Sequence, residues 1–135
     1  SYMESHDEER ASYKIKTYGN SSGGYDTKTL ATRADRIIQA SAFFYTIPGP
    51  KMIYMFEELG YDISIDNPCR VCEKPILWNY YNDQHRQKIY FYMASMMDMR
   101  KKYDVFNTSN FTYALNGASK RINLNSSSMN ATYSS

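Results

Sequence analysis

No apolar run in the 135 residues approaches the roughly 18 to 20 that a membrane span requires. No basic start followed by an apolar stretch is present either, so no leader is read at the beginning of the chain. An excess of one charge is also missing. Lys and Arg number 16 against 14 Asp and Glu, and a net charge of +2 carries no nucleic-acid signal. The single basic run, Arg100-Lys101-Lys102, falls at the end of a predicted helix, where it complements the helix dipole. Cysteine is scarce. Cys69 and Cys72 have the spacing of a redox motif or of half a zinc site, but there is no second pair, and His6 and His85 are remote in sequence. The pair lies between Pro68 and Pro75 and not at the start of a helix, so a local disulfide or two free thiols is expected. Finally, the chain is too short for a whole eightfold α/β barrel, which takes about 250 residues.

Tyrosine, by contrast, is abundant, with 14 copies. Each offers an apolar face and a hydroxyl, which suits both sugar-binding surfaces and half-wet packing.

Periodicity divides the chain. Ser1 to Ser5 reads as a strand ending in a polar turn, and Glu8 to Tyr18 as holding a short helical turn. Gly19 to Gly24 is a loop rich in helix breakers. Asp26 or Thr27 then offers an N-cap, and Leu30, Ala34, Ile37, Ile38, Ser41 and Tyr45 recur at helical spacing until Pro48 and Pro50 stop the pattern. Met52 to Phe56 is a continuous apolar run, the pattern of a strand buried on both faces. Asp83 caps a second predicted helix to about Tyr103, with a methionine-rich face expected to pack as core. After Asp104, Phe111, Tyr113 and Leu115 alternate, Asn116-Gly117 offers a hairpin turn, and Ile122 and Leu124 alternate in turn. Strand, helix and strand in this order predict a βαβ unit with a right-handed crossover.

Three separated motifs carry a resemblance. Tyr2-Met3-Glu4-Ser5-His6-Asp7 is similar to an aromatic-x-x-Asn-His-Asp stretch, with Ser5 at the Asn position. Gly49-Pro50-Lys51 to Phe56, then Glu57-Glu58-Leu59-Gly60, resembles a last barrel strand ending in Gly-x-Glu, with Glu57 at the Gly position and Glu58 at the Glu position. Pro75-Ile76-Leu77-Trp78 looks like the Pro-x-x-Trp segment before the last barrel helix. In this order and spacing they resemble the α-amylase-type glycoside hydrolases (glycoside hydrolase family thirteen).

The resemblance implies an α/β fold class. Residues 1–104 would be the last two strand–helix units of a (β/α)8 TIM barrel, and residues 105–135 the beginning of an antiparallel β-sandwich domain. It also implies roles. Asp7 maps to the carboxylate that supports the transition state, His6 to the histidine that binds sugar hydroxyls, and Ser5 stands beside them in the substrate-binding stretch. Glu58 maps to a group that orients loop backbone, and the side chain of Glu57 is expected to block or reshape the pocket. The nucleophile and the acid/base of a retaining glycosidase fall outside these motifs. No cofactor is implied for this chain, and a calcium ion, where the parent holds one, lies elsewhere. The implied partners are an α-glucan or oligosaccharide substrate and the remainder of the barrel, or a second copy of the chain.

Other readings stand beside this one. Asp7 can be an N-cap for the turn at Glu8-Glu9. Trp78, Tyr80 and Tyr81 can stack on sugars or anchor the core. The whole chain can be a non-catalytic glucan-binding or interaction module, or a thiol or metal module built on Cys69 and Cys72.

Overall fold

Asp83 precedes a stretch of good helix formers, and its carboxylate accepts the backbone N–H groups of His85 and Arg86 at 2.8 and 3.1 Å. It thereby starts the longest element of the computed structural model, which describes residues 1–134. This helix, α3 (Gln84–Lys102), packs along α2 (Leu30–Thr46), and the short α1 (Ala11–Tyr18) packs against α2. Ala34, Ile37, Phe44 and Tyr45 of α2 interleave with Ile89, Met93 and Met96 of α3. Burial of each larger side chain contributes about 1.5 to 3 kcal/mol. The helix cap on α2 is Thr29, whose hydroxyl accepts from Thr32 N at 3.4 Å, and not Asp26 or Thr27. Asp26 instead shapes the preceding turn by accepting from Lys28 N at 2.9 Å.

The end of α2 is closed from outside. Arg100 donates to the carbonyls of Tyr45, Ile47 and Gly49 at 2.6, 3.0 and 2.8 Å, which satisfies groups that Pro48 and Pro50 leave without helical partners. Beyond α3 the chain forms three antiparallel strands, β3 (Phe111–Ala114), β4 (Arg121–Asn125) and β5 (Asn130–Ser134), in that spatial order. Tyr113 pairs with Ile122, and Ile122 with Tyr133. The alternation of β4 sends Ile122 and Leu124 inward onto Val105 and Phe106, with Phe43 and Ile47 of the α2 region packed against them. A two-residue ribbon, β1 (Ser21–Ser22) with β2 (Tyr25–Asp26), precedes α2.

The expected fold class does not hold. The described residues form three helices and two small antiparallel sheets, with no parallel sheet and no closed barrel. Neither Ser1–Ser5 nor Met52–Phe56 is a strand. The physical reason is the lack of neighbours. Ser1 N donates to Pro50 O at 2.9 Å and Met52 N to Ser1 O at 3.0 Å, which is the bonding pattern of one parallel rung with Lys51 opposite Ser1. The pairing stops there. Tyr54 N is taken by the Glu57 carboxylate at 3.1 Å, and Phe56 turns the chain with φ 58°. The apolar run is also not buried on both faces, since Met52 is exposed and Ile53, Tyr54 and Met55 are half-buried.

Gly60 ends the 3-10 turn Glu57–Leu59 at φ 61°, and a Cβ there would lie 2.9 Å from Ile89 Cδ1 and 3.4 Å from Ile37 Cδ1. Gly60→Ala therefore combines left-handed strain with overpacking of the α2–α3 core. It is expected to cost about 1 to 3 kcal/mol. A urea midpoint within error of the parent chain would show that the core gives way freely.

Candidate functional site

The segment Tyr2–Arg10 is organised by its own acids. Glu4 is buried; its Oε1 accepts Ala11 N at 3.0 Å, and its Oε2 faces the buried Arg10 Nη1 at 3.4 Å. Burial pushes the Glu4 carboxyl above its ordinary value, against the Ala11 hydrogen bond and the Arg10 charge. Ser5 is buried as well. Its hydroxyl donates to Glu8 and accepts from Asp7 N, so it shapes the turn from within. Glu9 reaches outward to the segment after the second motif, accepting from Ser64 Oγ at 2.6 Å and Ile65 N at 2.9 Å.

These contacts leave His6 and Asp7 at the tip of the turn. Their side chains are about three-quarters exposed, with Nε2 and Oδ2 3.4 Å apart. The carboxylate of Asp7 does not cap α1. The cap position is Arg10, without a side-chain bond, and the first helical N–H belongs to Glu4. His6 stands edge-on to Tyr54, ring centroids 6.3 Å apart, and the Arg10 guanidinium lies over the Tyr54 ring, 4.3 Å from its centroid. His6, Asp7, Arg10 and Tyr54 thus line one cavity of about 290 Å³, which Arg70, Val71, Cys72 and Lys74 complete. The first two motifs, more than forty residues apart in the chain, meet at this opening.

The third motif packs on the second but does not line this opening. Trp78 is 73% exposed and stands edge-on to Phe56 at 4.9 Å, while Tyr80 is drawn inward to donate to Asp62 at 2.5 Å. Cys69 and Cys72 form a disulfide. Among the described residues no three His, Cys, Asp or Glu side chains converge as a metal site, and no helix is long and apolar enough to cross a membrane.

The two glutamates of the second motif differ in their surroundings. The residue with left-handed backbone is Phe56, one position before Glu57. Phe56 thus takes a backbone conformation that glycine favours, and Glu57 holds backbone through Tyr54 N. Glu57 is 1% exposed, whereas Glu58 is half-buried at the surface. Arg70 and Lys74 line the opening without a signal in the sequence. Glu9 and Arg10 surround His6-Asp7 in sequence, whereas these two arrive from a loop sixty residues later. No protein-family model matches the chain, and no curated protein is similar enough to align with it.

Proposed function

We propose that the chain is part of an α-amylase-type glycoside hydrolase acting on α-glucosidic bonds of starch-like glucans, and that it supplies Asp7 and His6 to the sugar site. The observation that supports this best is the state of Asp7. Among the described residues its carboxylate has an ion-pair partner only in the exposed His6 imidazole, and both open into a cavity walled by Tyr54 of the second motif. A fixed negative charge at such a place stabilises an oxocarbenium-like transition state and accepts hydrogen bonds from ring hydroxyls. The imidazole offers donors to neighbouring hydroxyls, and the Tyr54 ring an apolar face. Bond cleavage itself requires a nucleophile and an acid/base on opposite sides of the glycosidic oxygen, and these belong to other parts of the parent.

Two results are expected. The purified chain releases no reducing sugar from starch, and turnover that Asp7→Ala abolishes would refute the assignment of the missing carboxylates. In an NMR titration with maltoheptaose, shifts concentrate at His6, Asp7 and Tyr54, with a Kd on the order of 1 mM for so open a site. Cellohexaose, of opposite anomeric linkage, produces smaller shifts. An absence of shifts at these residues up to saturation of the sugar's solubility defeats the reading.

A second reading, a non-catalytic glucan-binding surface, draws on a separate observation. Tyr81, Tyr90 and Phe91 are exposed and cluster with centroids 5.4 to 6.4 Å apart, Tyr90 edge-on to both of the others. The same titration separates the two, because shifts at these rings and at Trp78, without shifts at His6 and Asp7, select the surface.

A further inference from the structure

The segment 64–74 is fastened at its base and closed at its tip. Glu9 holds Ser64 and Ile65, and Lys74 Nζ gathers the carbonyls of Ile65, Asn67 and Cys69, the last two at 3.1 and 2.6 Å. At the tip, Cys72 N donates to Cys69 O at 3.2 Å, and the disulfide closes the same four residues covalently. Arg70 lies inside that ring. Its guanidinium donates to the backbone carbonyl of Asp7, and its Nη1 faces Asp66 Oδ1 at 3.6 Å. Arg70 is half-exposed, so nothing in its packing demands this reach across sixty-three positions of sequence. What the reach accomplishes is to hold the Asp7–Glu8 peptide, next to the Cα from which the candidate carboxylate projects.

We propose that Arg70 is a positioning residue for Asp7, and that the Cys69–Cys72 disulfide is what keeps Arg70 in place. The meaning of that positioning for catalysis rests on the α-glucan reading above, but the coupling itself does not. An open four-residue loop samples many more conformations than a closed one, so its arginine would spend less time on the Asp7 carbonyl. Cys72 is exposed, which leaves its sulfur open to attack by a dithiol. In that exchange the dithiol loses two electrons and two protons and becomes a cyclic disulfide, and Cys69 and Cys72 become two thiols.

The test uses the whole 15N-labelled chain. A hydrogen bond to the Asp7 carbonyl polarises the peptide it belongs to, so the Glu8 amide resonance reports on Arg70. Arg70→Ala shifts that resonance, and Arg70→Lys, which keeps a donor, restores it in part. Reduction with dithiothreitol shifts it in the same direction in the parent chain, and Cys69→Ser/Cys72→Ser reproduces the shift without reductant. Reduction adds nothing in Arg70→Ala. Maltoheptaose affinity falls roughly threefold to tenfold in each altered form, the loss of one hydrogen bond. A Glu8 resonance indifferent to Arg70→Ala overturns the proposal, as does a reduction effect of equal size with and without Arg70. If the Glu8 signature behaves as stated while no form binds maltoheptaose, the positioning stands and the glucan reading falls.

Discussion

Asp62→Ala is expected to destabilise the chain by about 3 to 5 kcal/mol, the cost of leaving buried cations without their counter-charge. Asp62 is 6% exposed, and its Oδ2 faces Lys16, Arg33 and Arg86 at 3.2, 3.1 and 3.2 Å. Its Oδ1 accepts the Tyr80 hydroxyl. Burial alone would push this carboxyl up, but the Tyr80 hydrogen bond and the charges of Arg86 and Lys16 outweigh it and hold the carboxyl below its usual value. The arginines do more than neutralise. Arg33 Nη1 donates to Lys28 O at 2.7 Å ahead of α2, and Arg86 Nη1 to Leu59 O and Gly60 O at 2.8 and 2.7 Å, with its guanidinium 3.6 Å over the Tyr80 ring. One carboxylate therefore joins α1, the start of α2, the turn at Leu59–Gly60 and the start of α3. Removing it strands two arginines that are each over nine-tenths buried. Asp62→Asn, which keeps the shape and drops the charge, should cost nearly as much. Lys16→Met, at the half-exposed partner, should cost under about 1 kcal/mol. Urea midpoints rank the three, and an Asp62→Ala loss no larger than that of Lys16→Met would show that the cluster is not held by its carboxylate.

None of that network has a local signature. Lys16, Arg33, Asp62, Tyr80 and Arg86 are spread over seventy positions, and each reads alone as an ordinary polar residue of a helix or loop. Features decided within a few residues were legible. Asp83 announced the start of α3, and Asn116-Gly117 between alternating runs announced the pairing of β3 with β4. The fold class was not. Met52–Phe56 has a strand's composition, but a strand exists only through its neighbours, and here one rung at Ser1 and Lys51 is all the described residues provide. The site divides in the same way. His6 and Asp7 are adjacent in sequence and stay adjacent in space, whereas the contact of Glu57 with Tyr54 N goes with a left-handed backbone at Phe56, a conformation that a phenylalanine rarely adopts and does not advertise.

Glu57 gives the second large effect, a stability that falls as pH rises. Burial pushes its carboxyl up to about 8, against the hydrogen bond from Tyr54 N and with the nearby charges of Glu4 and Glu58 adding to the rise. Among the described residues its Oε1 has no hydrogen-bond partner, so the Tyr54 N bond to the other oxygen repays only part of the hydration that the ionised form loses. Between about pH 4.5, where the unfolded chain gives up this proton, and about pH 8, where the folded chain does, the native state holds more protons. The unfolding free energy then declines with pH by up to about 1.4 kcal/mol per unit, a ceiling on the order of 3 to 5 kcal/mol across the window. The contribution is complete below the window and gone above it. Glu4, also raised by burial, acts in the same sense, so some decline survives without Glu57. Glu57→Gln keeps an oxygen for Tyr54 N and removes the titration. Urea unfolding of both chains at pH 5, 6, 7 and 8 should show the variant gaining on the parent at every step. Parallel curves would mean that Glu57 is ionised in the folded protein, and that water or a neighbouring chain reaches the oxygen that this structure leaves unpaired.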